Sequence, residues 1–138
     1  MIYALDTNTI SFLLRGEVAV AKRFQAEIVE AGNPYVVPPI VYYEIKRWLL
    51  DKPTKALHVF LQHFDSLYEN IIMKMEMPCS VWEKAVDIYI SLKQKGQLIG
   101  DADILIAAYC IDNDYTLVTD NVSDFSRIDD LKIVNWKN

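Results

Sequence analysis

The sequence predicts an α/β fold in which helices flank both faces of a central parallel sheet. Short apolar runs of strand length alternate along the chain with longer segments whose apolar residues recur at helical spacing. This alternation favours a parallel sheet, because each strand must return to the sheet through a helical crossover. The chain of 138 residues is 52% hydrophobic, which predicts a single domain with one core over residues 1–138.

The N-terminal half is expected to contribute two strands and four helices. The strands are predicted at residues 2–5 and 35–37, and the first is an apolar run that stops at Asp6. The helices are predicted from a cap at Thr7 or Asn8 to Gly16, and over about residues 18–31, 40–50 and 55–67. Pro38 and Pro39 precede the third helix, whose first turn tolerates proline.

The C-terminal half is expected to contribute two helices and three strands. The helix that begins at a cap on Ser80 and ends at Gly96 should bury one face, formed by Trp82, Ala85, Val86, Tyr89 and Leu92. The helix over residues 102–112, capped by Asp101, is apolar nearly all round, which places it at the centre of the fold. The strands are predicted at residues 71–73, 116–119 and 132–136.

The charge of the chain limits the classes of function that it can have. The net charge is -5 and the pI is about 4.9, which argues against a nucleic-acid binder that acts through bulk positive charge. An acidic pocket that holds cations still suits a nucleic-acid substrate, because a bound metal reverses the local sign. No apolar run approaches the ~20 residues of a membrane span, and no leader segment is visible, so a cytoplasmic protein is expected.

Two aspartates directly follow predicted strands. Asp6 comes after the first buried strand, and Asp120 comes after the strand at residues 116–119. Ligands of parallel sheets bind at the carboxyl ends of the strands, where both aspartates fall. A single aspartate in such a position is more often a turn former or a helix cap, so the functional interpretation needs further acidic residues.

Glu44 and Asp103 lie on helical surfaces that are otherwise apolar. Glu44 is three residues from Val41 and four from Trp48, on the stripe that this helix is expected to bury. A glutamate on a buried face requires a cation or several hydrogen-bond donors. Asp103 is in the first turn of the most apolar helix, where the helix dipole favours an acid, although Asp101 already suits the cap.

Carboxylates from distant segments, without histidine or cysteine, suit hard cations such as Mg²⁺ or Mn²⁺. Such ions orient a water molecule, lower its pKa and stabilise the in-line displacement of a phosphodiester. The sequence shows no serine or cysteine nucleophile with a base, no P-loop and no dinucleotide-binding glycine motif. Asp6, Glu44 and Asp103 therefore indicate a metal site of the kind that hydrolyses phosphodiesters.

Four motifs stand in order along the chain. They read LDTN at residues 5–8, VVPPIVYYEI at 36–45, IGDADILIAA at 99–108 and TLVTDNVSDF at 116–125, with a further matching segment at 131–136. Together they resemble the PIN-domain ribonucleases, and most closely the VapC toxins of bacterial toxin–antitoxin pairs. The resemblance covers the whole chain, and it implies the parallel-sheet PIN fold, cleavage of RNA and dependence on Mg²⁺ or Mn²⁺.

The resemblance also implies roles for individual residues. Asp6, Glu44 and Asp103 match the acidic positions of the family, and the metal is held chiefly at the positions of Asp6 and Asp103. The fourth acidic position falls on Asn121, which leaves the flanking Asp120 and Asp124 as candidates for it. The matching motifs also contain the accessory residues Thr7, Asn8, Thr119 and Asn121.

The same resemblance implies two protein partners, and the local basic residues give candidates for the route of an RNA substrate. A VapB-like antitoxin would wrap the toxin and fill the acidic pocket with its tail, often through an arginine, and a second copy of the chain would form a homodimer. RNA would approach through basic residues near the pocket, for which Arg15, Lys46 and Arg47 are candidates. Each of the three also fits an ordinary solvated surface charge.

Two other functions are compatible with the sequence. Residues 6–9 loosely resemble the strand-end aspartate motif of haloacid-dehalogenase-type phosphatases, although Asn8 stands where a second aspartate is usual. The chain would alternatively be a PIN-like binding module without catalytic activity, an interpretation to which Asn121 in place of an acid gives some support. Trapping of a phosphoryl group on Asp6 would favour the phosphatase, and weak Mn²⁺ binding would favour the inactive module.

Overall fold

The computed structural model describes residues 1–71 and 76–138. Within these ranges four short strands form one sheet, namely β1 (Tyr3–Leu5), β2 (Tyr35–Val36), β3 (Thr116–Val118) and β4 (Ile133–Val134). All neighbouring strands are parallel, and their order is β2-β1-β3-β4. The predicted fold class is thereby confirmed. Of the further strand predicted at residues 71–73, residues 72 and 73 lie outside the described residues, and Ile71 is not in a strand.

The helices of the described ranges occur between the strands, as predicted, except that the short helix after β3 was not predicted. They are α1 (Thr7–Arg15), α2 (Val18–Phe24), α3 (Pro39–Asp51), α4 (Lys55–Glu69), α5 (Cys79–Gln94), α6 (Asp101–Asn113) and the short α7 (Val122–Phe125). A π-helical segment, Gln25–Glu30, continues α2. Gly16 ends α1 in the left-handed conformation at φ 75°, which glycine adopts without the penalty of a Cβ atom.

Both faces of the sheet are covered. All three residues of β1 and all three of β3 are buried, and successive side chains of a strand point to opposite faces. Burial of every position therefore requires helices on both sides, as in other parallel sheets. The central helix is α6, as the sequence predicted. Its buried residues are Ile104, Ile106, Ala107, Ala108, Tyr109 and Cys110. Across residues 1–71 and 76–138, every helix is too short or too polar to traverse a membrane.

The buried face of α5 differs from the predicted one. The helix starts at Cys79 and is not capped by Ser80, whose hydroxyl instead donates a hydrogen bond to Asp112. Its buried side chains are Val81, Ala85, Ile88 and Leu92. Three residues predicted to be buried, Trp82, Val86 and Tyr89, are exposed. Because α5 carries apolar residues on two faces, periodicity alone could not select the face that packs on α6.

The connections that follow the two central strands, β1 and β3, run towards opposite edges of the sheet. The chain passes from β1 to its neighbour β2 at one edge, and from β3 to its neighbour β4 at the other. The carboxyl ends of β1 and β3 therefore form a topological switch point, where the connecting segments diverge and leave a crevice. Asp6 follows β1 directly and Thr119 follows β3, so the sheet places two of the predicted site segments side by side.

Candidate active site

A cavity of about 170 Å³ opens at the switch point. Its walls come from the segments that follow β1 and β3, from α3 and from the start of α6. The lining residues are Asp6, Thr7, Asn8, Glu44, Asp103, Ile106, Asn121 and Phe125. The fold thus brings Asp6, Glu44 and Asp103, which are far apart in sequence, into the wall of one cavity.

Asp6 is a carboxylate with only 5% of its surface exposed. Its Oδ1 accepts a hydrogen bond of 2.8 Å from the backbone N–H of Thr9, so Asp6 is the N-cap of α1. The prediction of a cap at Thr7 or Asn8 was wrong. The pKa of Asp6 is raised to about 6, chiefly by burial and to a smaller extent by the charge of Asp120, while hydrogen bonds from Thr119 and Thr9 oppose the rise. Asp6 therefore caps α1 and also lines the cavity.

Buried hydroxyl groups connect the two strand ends. Thr119 is fully buried, and its hydroxyl bonds to the Asp6 carboxylate and accepts a 3.0 Å hydrogen bond from the backbone N–H of Asn121. The hydroxyl of Thr9 donates a 3.0 Å hydrogen bond to the carbonyl oxygen of Val118 at the end of β3. These bonds fix the position of the Asp6 carboxylate relative to the segment after β3.

Glu44 reaches the cavity from the second turn of α3. Its side chain is half-buried, and Oε1 accepts a 2.7 Å hydrogen bond from the hydroxyl of Thr7. Within the described ranges no lysine or arginine forms a salt bridge with Glu44, and the neighbouring Lys46 pairs with Asp65 at 2.8 Å. Glu44 thus presents a carboxylate to the cavity without a basic side chain against it.

Asp103 and Asp101 share the first turn of α6, but only Asp103 faces the acidic cavity. Gly100 precedes the helix, so Asp101 is its first residue and not the predicted cap. Asp101 lines a different cavity, between α5 and α6. Burial raises the pKa of Asp103, and the negative charges of Glu44 and Asp124 raise it further. The geometry favours Asp103 over Asp101 as the residue of this site.

Asp120 and Asp124, the candidates for the fourth acidic position, lie beside the cavity and not in its wall. Asp120 accepts a 3.2 Å hydrogen bond from the side-chain amide of Asn8. Asp124 accepts a 3.2 Å hydrogen bond from the side-chain amide of Asn121 and pairs with Arg127 at 3.6 Å. Asn121 itself lines the cavity. Direct roles for Asp120 and Asp124 in catalysis stay predictions.

The side chains around the cavity fit a hard divalent cation in their chemistry. Asp6, Glu44 and Asp103 offer carboxylate oxygens, which are the ligands that Mg²⁺ and Mn²⁺ prefer. A cation would also offset the repulsion that raises the pKa of Asp103. Across the described residues, no three acidic, histidine or cysteine side chains already converge into a cation site. The ligand set would therefore have to close when an ion binds.

Sequence reasoning missed the apolar walls of the cavity and one basic neighbour. Ile106 and Phe125 line the cavity beside the acids. Arg127, three residues after Asp124, pairs with it from the end of α7. The i,i+3 spacing of opposite charges was a signal for this pair, but α7 is only four residues long and gives no periodic pattern.

Comparison with known proteins identifies relatives along the whole chain. A family model described as the PIN domain matches residues 3–131. Ribonuclease VapC2 of Rickettsia felis is 28% identical over 99% of this chain and 98% of its own length. Ribonuclease VapC1 of the same organism is 32% identical over 94% and 92%. A chain from the crystal structure of Rickettsia felis VapBC2, bound to a DNA fragment from their promoter, has a TM-score of 0.84 and 26% identity, with 99% of both chains covered.

Proposed function

The chain belongs to the PIN domain family, and we propose that it is a metal-dependent endoribonuclease that acts as the toxin of a type II toxin–antitoxin pair. The observation that carries the proposal is the single cavity lined by Asp6, Glu44 and Asp103. Relatives that are named ribonucleases match almost the full length of the chain, which supports RNA as the substrate.

In the proposed reaction Asp6 and Asp103 would hold Mg²⁺ or Mn²⁺, and Glu44 would position the attacking water. The ion, when bound, supplies Lewis-acid chemistry that makes water a better nucleophile and stabilises charge on the phosphodiester. Thr7 fixes one oxygen of Glu44 through the 2.7 Å hydrogen bond, which leaves the other oxygen for a water molecule. With a pKa of about 6, Asp6 is mainly ionised at neutral pH.

The proposed regulation is by a VapB-like antitoxin. A similar solved chain is part of a VapBC complex, which supports a partner of this kind. An acidic cavity favours the entry of a cationic side chain from the partner, since such a group would offset the repulsion between the carboxylates. Homodimer formation, which the family resemblance also implies, stays a prediction.

The chain purified without a partner should cleave single-stranded RNA in the presence of Mg²⁺ or Mn²⁺. Asp6→Asn and Asp103→Asn should each lower the rate by about 100-fold or more, as is typical when a group that stabilises the reacting centre is removed. Gel analysis of end-labelled RNA would measure the cleavage, and thermal unfolding would establish that each variant is folded.

Asp101→Asn is the matched control for Asp103→Asn. Both residues lie in the first turn of α6, and both substitutions remove one negative charge near the same helix dipole. Asp101 lines the cavity between α5 and α6, so its substitution should leave the rate within about twofold of the native rate. Equal loss of activity in both variants, or cleavage by Asp103→Asn at the native rate, would contradict the proposal.

The phosphatase alternative finds less support in the geometry. A phosphatase of that type uses the strand-end aspartate as a nucleophile, which needs an accessible carboxylate. Asp6 is 5% exposed, and one of its oxygens is engaged in capping α1. Binding of Mn²⁺ distinguishes the proposed enzyme from an inactive PIN-like module, because a module without a working metal site should bind the ion weakly.

A further inference from the structure

We propose that the outer surface of α1 and α3 carries a binding site for single-stranded RNA, formed by two arginine–aromatic pairs, Arg15 with Trp48 and Arg47 with Tyr43. The inference rests on the proposed ribonuclease function and concerns the part of the RNA beyond the scissile bond. Its consequence is that affinity for RNA depends on residues outside the acidic cavity.

Both arginines lie over aromatic rings. The Cζ atom of Arg15 is 5.3 Å from the centre of the Trp48 ring, and that of Arg47 is 5.0 Å from the centre of the Tyr43 ring. Both arginines are exposed, and Tyr43 is 58% exposed. One N–H group of Arg47 donates a 3.5 Å hydrogen bond to the hydroxyl of Tyr43. A guanidinium over a ring keeps its remaining N–H groups for a phosphate, and an exposed ring offers a surface for an unstacked base.

Within the described ranges the two arginines, Arg15 and Arg47, have no carboxylate partner within salt-bridge distance, unlike the neighbouring Lys46. Other cations of the described residues, such as Lys84 and Lys93, also lack a salt bridge, so the feature that marks this surface is the placement of two arginines over aromatic rings. A phosphate would supply the missing counter-charge, and Arg binds phosphate through paired hydrogen bonds.

The surface is continuous with the acidic cavity. The two helices meet at the cavity through the 2.7 Å hydrogen bond between Thr7 and Glu44, and they meet again where Arg15 stacks on Trp48. Arg15 lies eight residues after Thr7, or about 12 Å along α1. Trp48 lies one turn after Glu44 on the same face of α3. A strand whose scissile phosphate is in the cavity can therefore extend along this face to the arginines.

Two cavities flank Arg47 and provide room for nucleotides. One, of about 430 Å³, also contains Trp48, and the other, of about 420 Å³, also contains Tyr43. Asp51 lines both cavities, and it is the acid that opposes a polyanion there. If this surface binds RNA, the Asp51→Asn variant should bind RNA more tightly than the native chain does, because the substitution removes a negative charge that repels the phosphates.

The test measures binding and not cleavage. A fluorescein-labelled oligouridine is titrated, in Mg²⁺ buffer, with the cleavage-deficient Asp6→Asn chain and with the same chain carrying Arg15→Gln and Arg47→Gln. Fluorescence anisotropy should show about tenfold weaker binding for the added substitutions, and the magnitude of the slope of log K against log salt should fall by about 1.4, because two phosphate contacts to a single strand are lost. Arg15→Lys with Arg47→Lys, which keeps the charge but not the planar stacking, should give an intermediate affinity.

Lys84→Gln with Lys93→Gln is the matched control. It removes the same charge from α5, where Lys93 lies 5.8 Å from the ring centre of the exposed Tyr89, and it should leave both affinity and salt slope unchanged. Unchanged binding by the arginine variant, or equal loss in the lysine control, would overturn the proposed RNA site. Arginine variants that bind RNA normally but no longer bind a co-expressed antitoxin would also overturn it, and would assign the surface to the protein partner.

Failure of the RNA site and failure of the ribonuclease function give different results. If the native chain cleaves RNA and the arginine variant binds RNA normally, only the site is wrong. If RNA binds through the arginines but the native chain does not cleave in Mg²⁺ or Mn²⁺, the proposed function is wrong.

Discussion

The ends of β1 and β3 lie side by side at the same switch point, yet they hold their acidic residues in different ways. After β1, Asp6 is 5% exposed and is bonded to the backbone of α1. After β3, Asp120 and Asp124 are half-buried, and their hydrogen-bond partners are the amides of Asn8 and Asn121. The β1 end thus confines one carboxylate, whereas the β3 end carries two that water can reach.

Burial separates the roles of the acids at the two strand ends. A buried carboxylate without a cation raises the free energy of the folded state, and the raised pKa of Asp6 measures this effect. A solvated carboxylate has little such effect and contributes correspondingly little when it is paired. We therefore expect the substitution of Asp6 to have large consequences, and the substitution of the acids after β3 to have small ones.

The largest expected effect is the difference between Asp6→Asn and Asp120→Asn in RNA cleavage. Loss of the Asp6 carboxylate should lower kcat by about 100-fold or more, while loss of Asp120 should lower it by less than about tenfold. Asparagine is as good an N-cap as aspartate, so α1 should persist in the Asp6 variant. Single-turnover cleavage at saturating Mn²⁺ measures both rates, and a larger effect at Asp120 would reverse the comparison.

The stability of the metal-free chain should depend on pH through Asp6. Its pKa in the folded chain is about 6, above the ordinary value of 3.8, so the folded chain binds the proton more tightly than the unfolded chain. The free energy of unfolding should therefore fall as pH rises from about 4 to about 6 and stay level above that, with a loss of about 3 kcal/mol.

The variant Asp6→Asn provides the control for this titration. Its stability should lack this part of the pH dependence, so it should exceed that of the native chain by about 3 kcal/mol at pH 7 and approach it towards pH 4. Urea unfolding in the presence of a chelator measures the difference. A native chain that is the more stable of the two at pH 7 would show that Asp6 is not a strained carboxylate.

The hydrogen bond between Thr7 and Glu44 should have an intermediate effect. Thr7→Val keeps the shape of the side chain but removes the hydroxyl that holds Oε1 of Glu44. We expect kcat to fall by about tenfold with little change in KM, because the bond orients a group at the reacting centre and does not bind the substrate. Thr7→Ser, which restores the hydroxyl, should recover most of the rate. Equal rates for the valine and serine variants would count against this role.

The smallest effect is expected at the β3 end. Arg127 pairs with Asp124 at 3.6 Å, and both side chains are about one-third exposed. Exposed pairs of this kind contribute about 0–1 kcal/mol, so Arg127→Gln should change the cleavage rate by less than about fivefold. If Arg127→Gln lowered the cleavage rate as much as Asp6→Asn does in the same assay, the residues after β3 would be as important for the geometry of the active site as those after β1.

The sequence predicted the sheet and the acids at the cavity because each has a strong local signal. The strands are short apolar runs with polar residues directly after them, and Glu44 stands out on an apolar helical stripe. The cap of α1 was predicted at Thr7 or Asn8, and a cap at Asp6 was only the alternative to a functional role. Asp6, Thr7 and Asn8 are all good cap residues, and only the geometry of the strand end selects one of them.

Other features depend on contacts that periodicity does not reveal. The exposed face of α5, with Trp82 and Val86, is as apolar as the buried face, with Val81 and Ile88, so the choice between them is made by packing on α6. The placement of Asn121 in the cavity wall, with Asp120 and Asp124 outside it, depends on the hydrogen bond between Asn121 and Thr119 and on the start of α7. Turn geometry of this kind depends on tertiary contacts at the strand ends, which the local sequence does not reveal.

Titration calorimetry with Mn²⁺ tests the central claim most directly. The native chain, purified without a partner, should bind the ion with a definite stoichiometry, and Asp101→Asn should bind it equally well. Asp6→Asn with Asp103→Asn should weaken that binding by about 10-fold to 100-fold or abolish it. Native affinity for Mn²⁺ in the double variant would mean that the cavity at the switch point is not the metal site, and the proposed ribonuclease mechanism would be wrong.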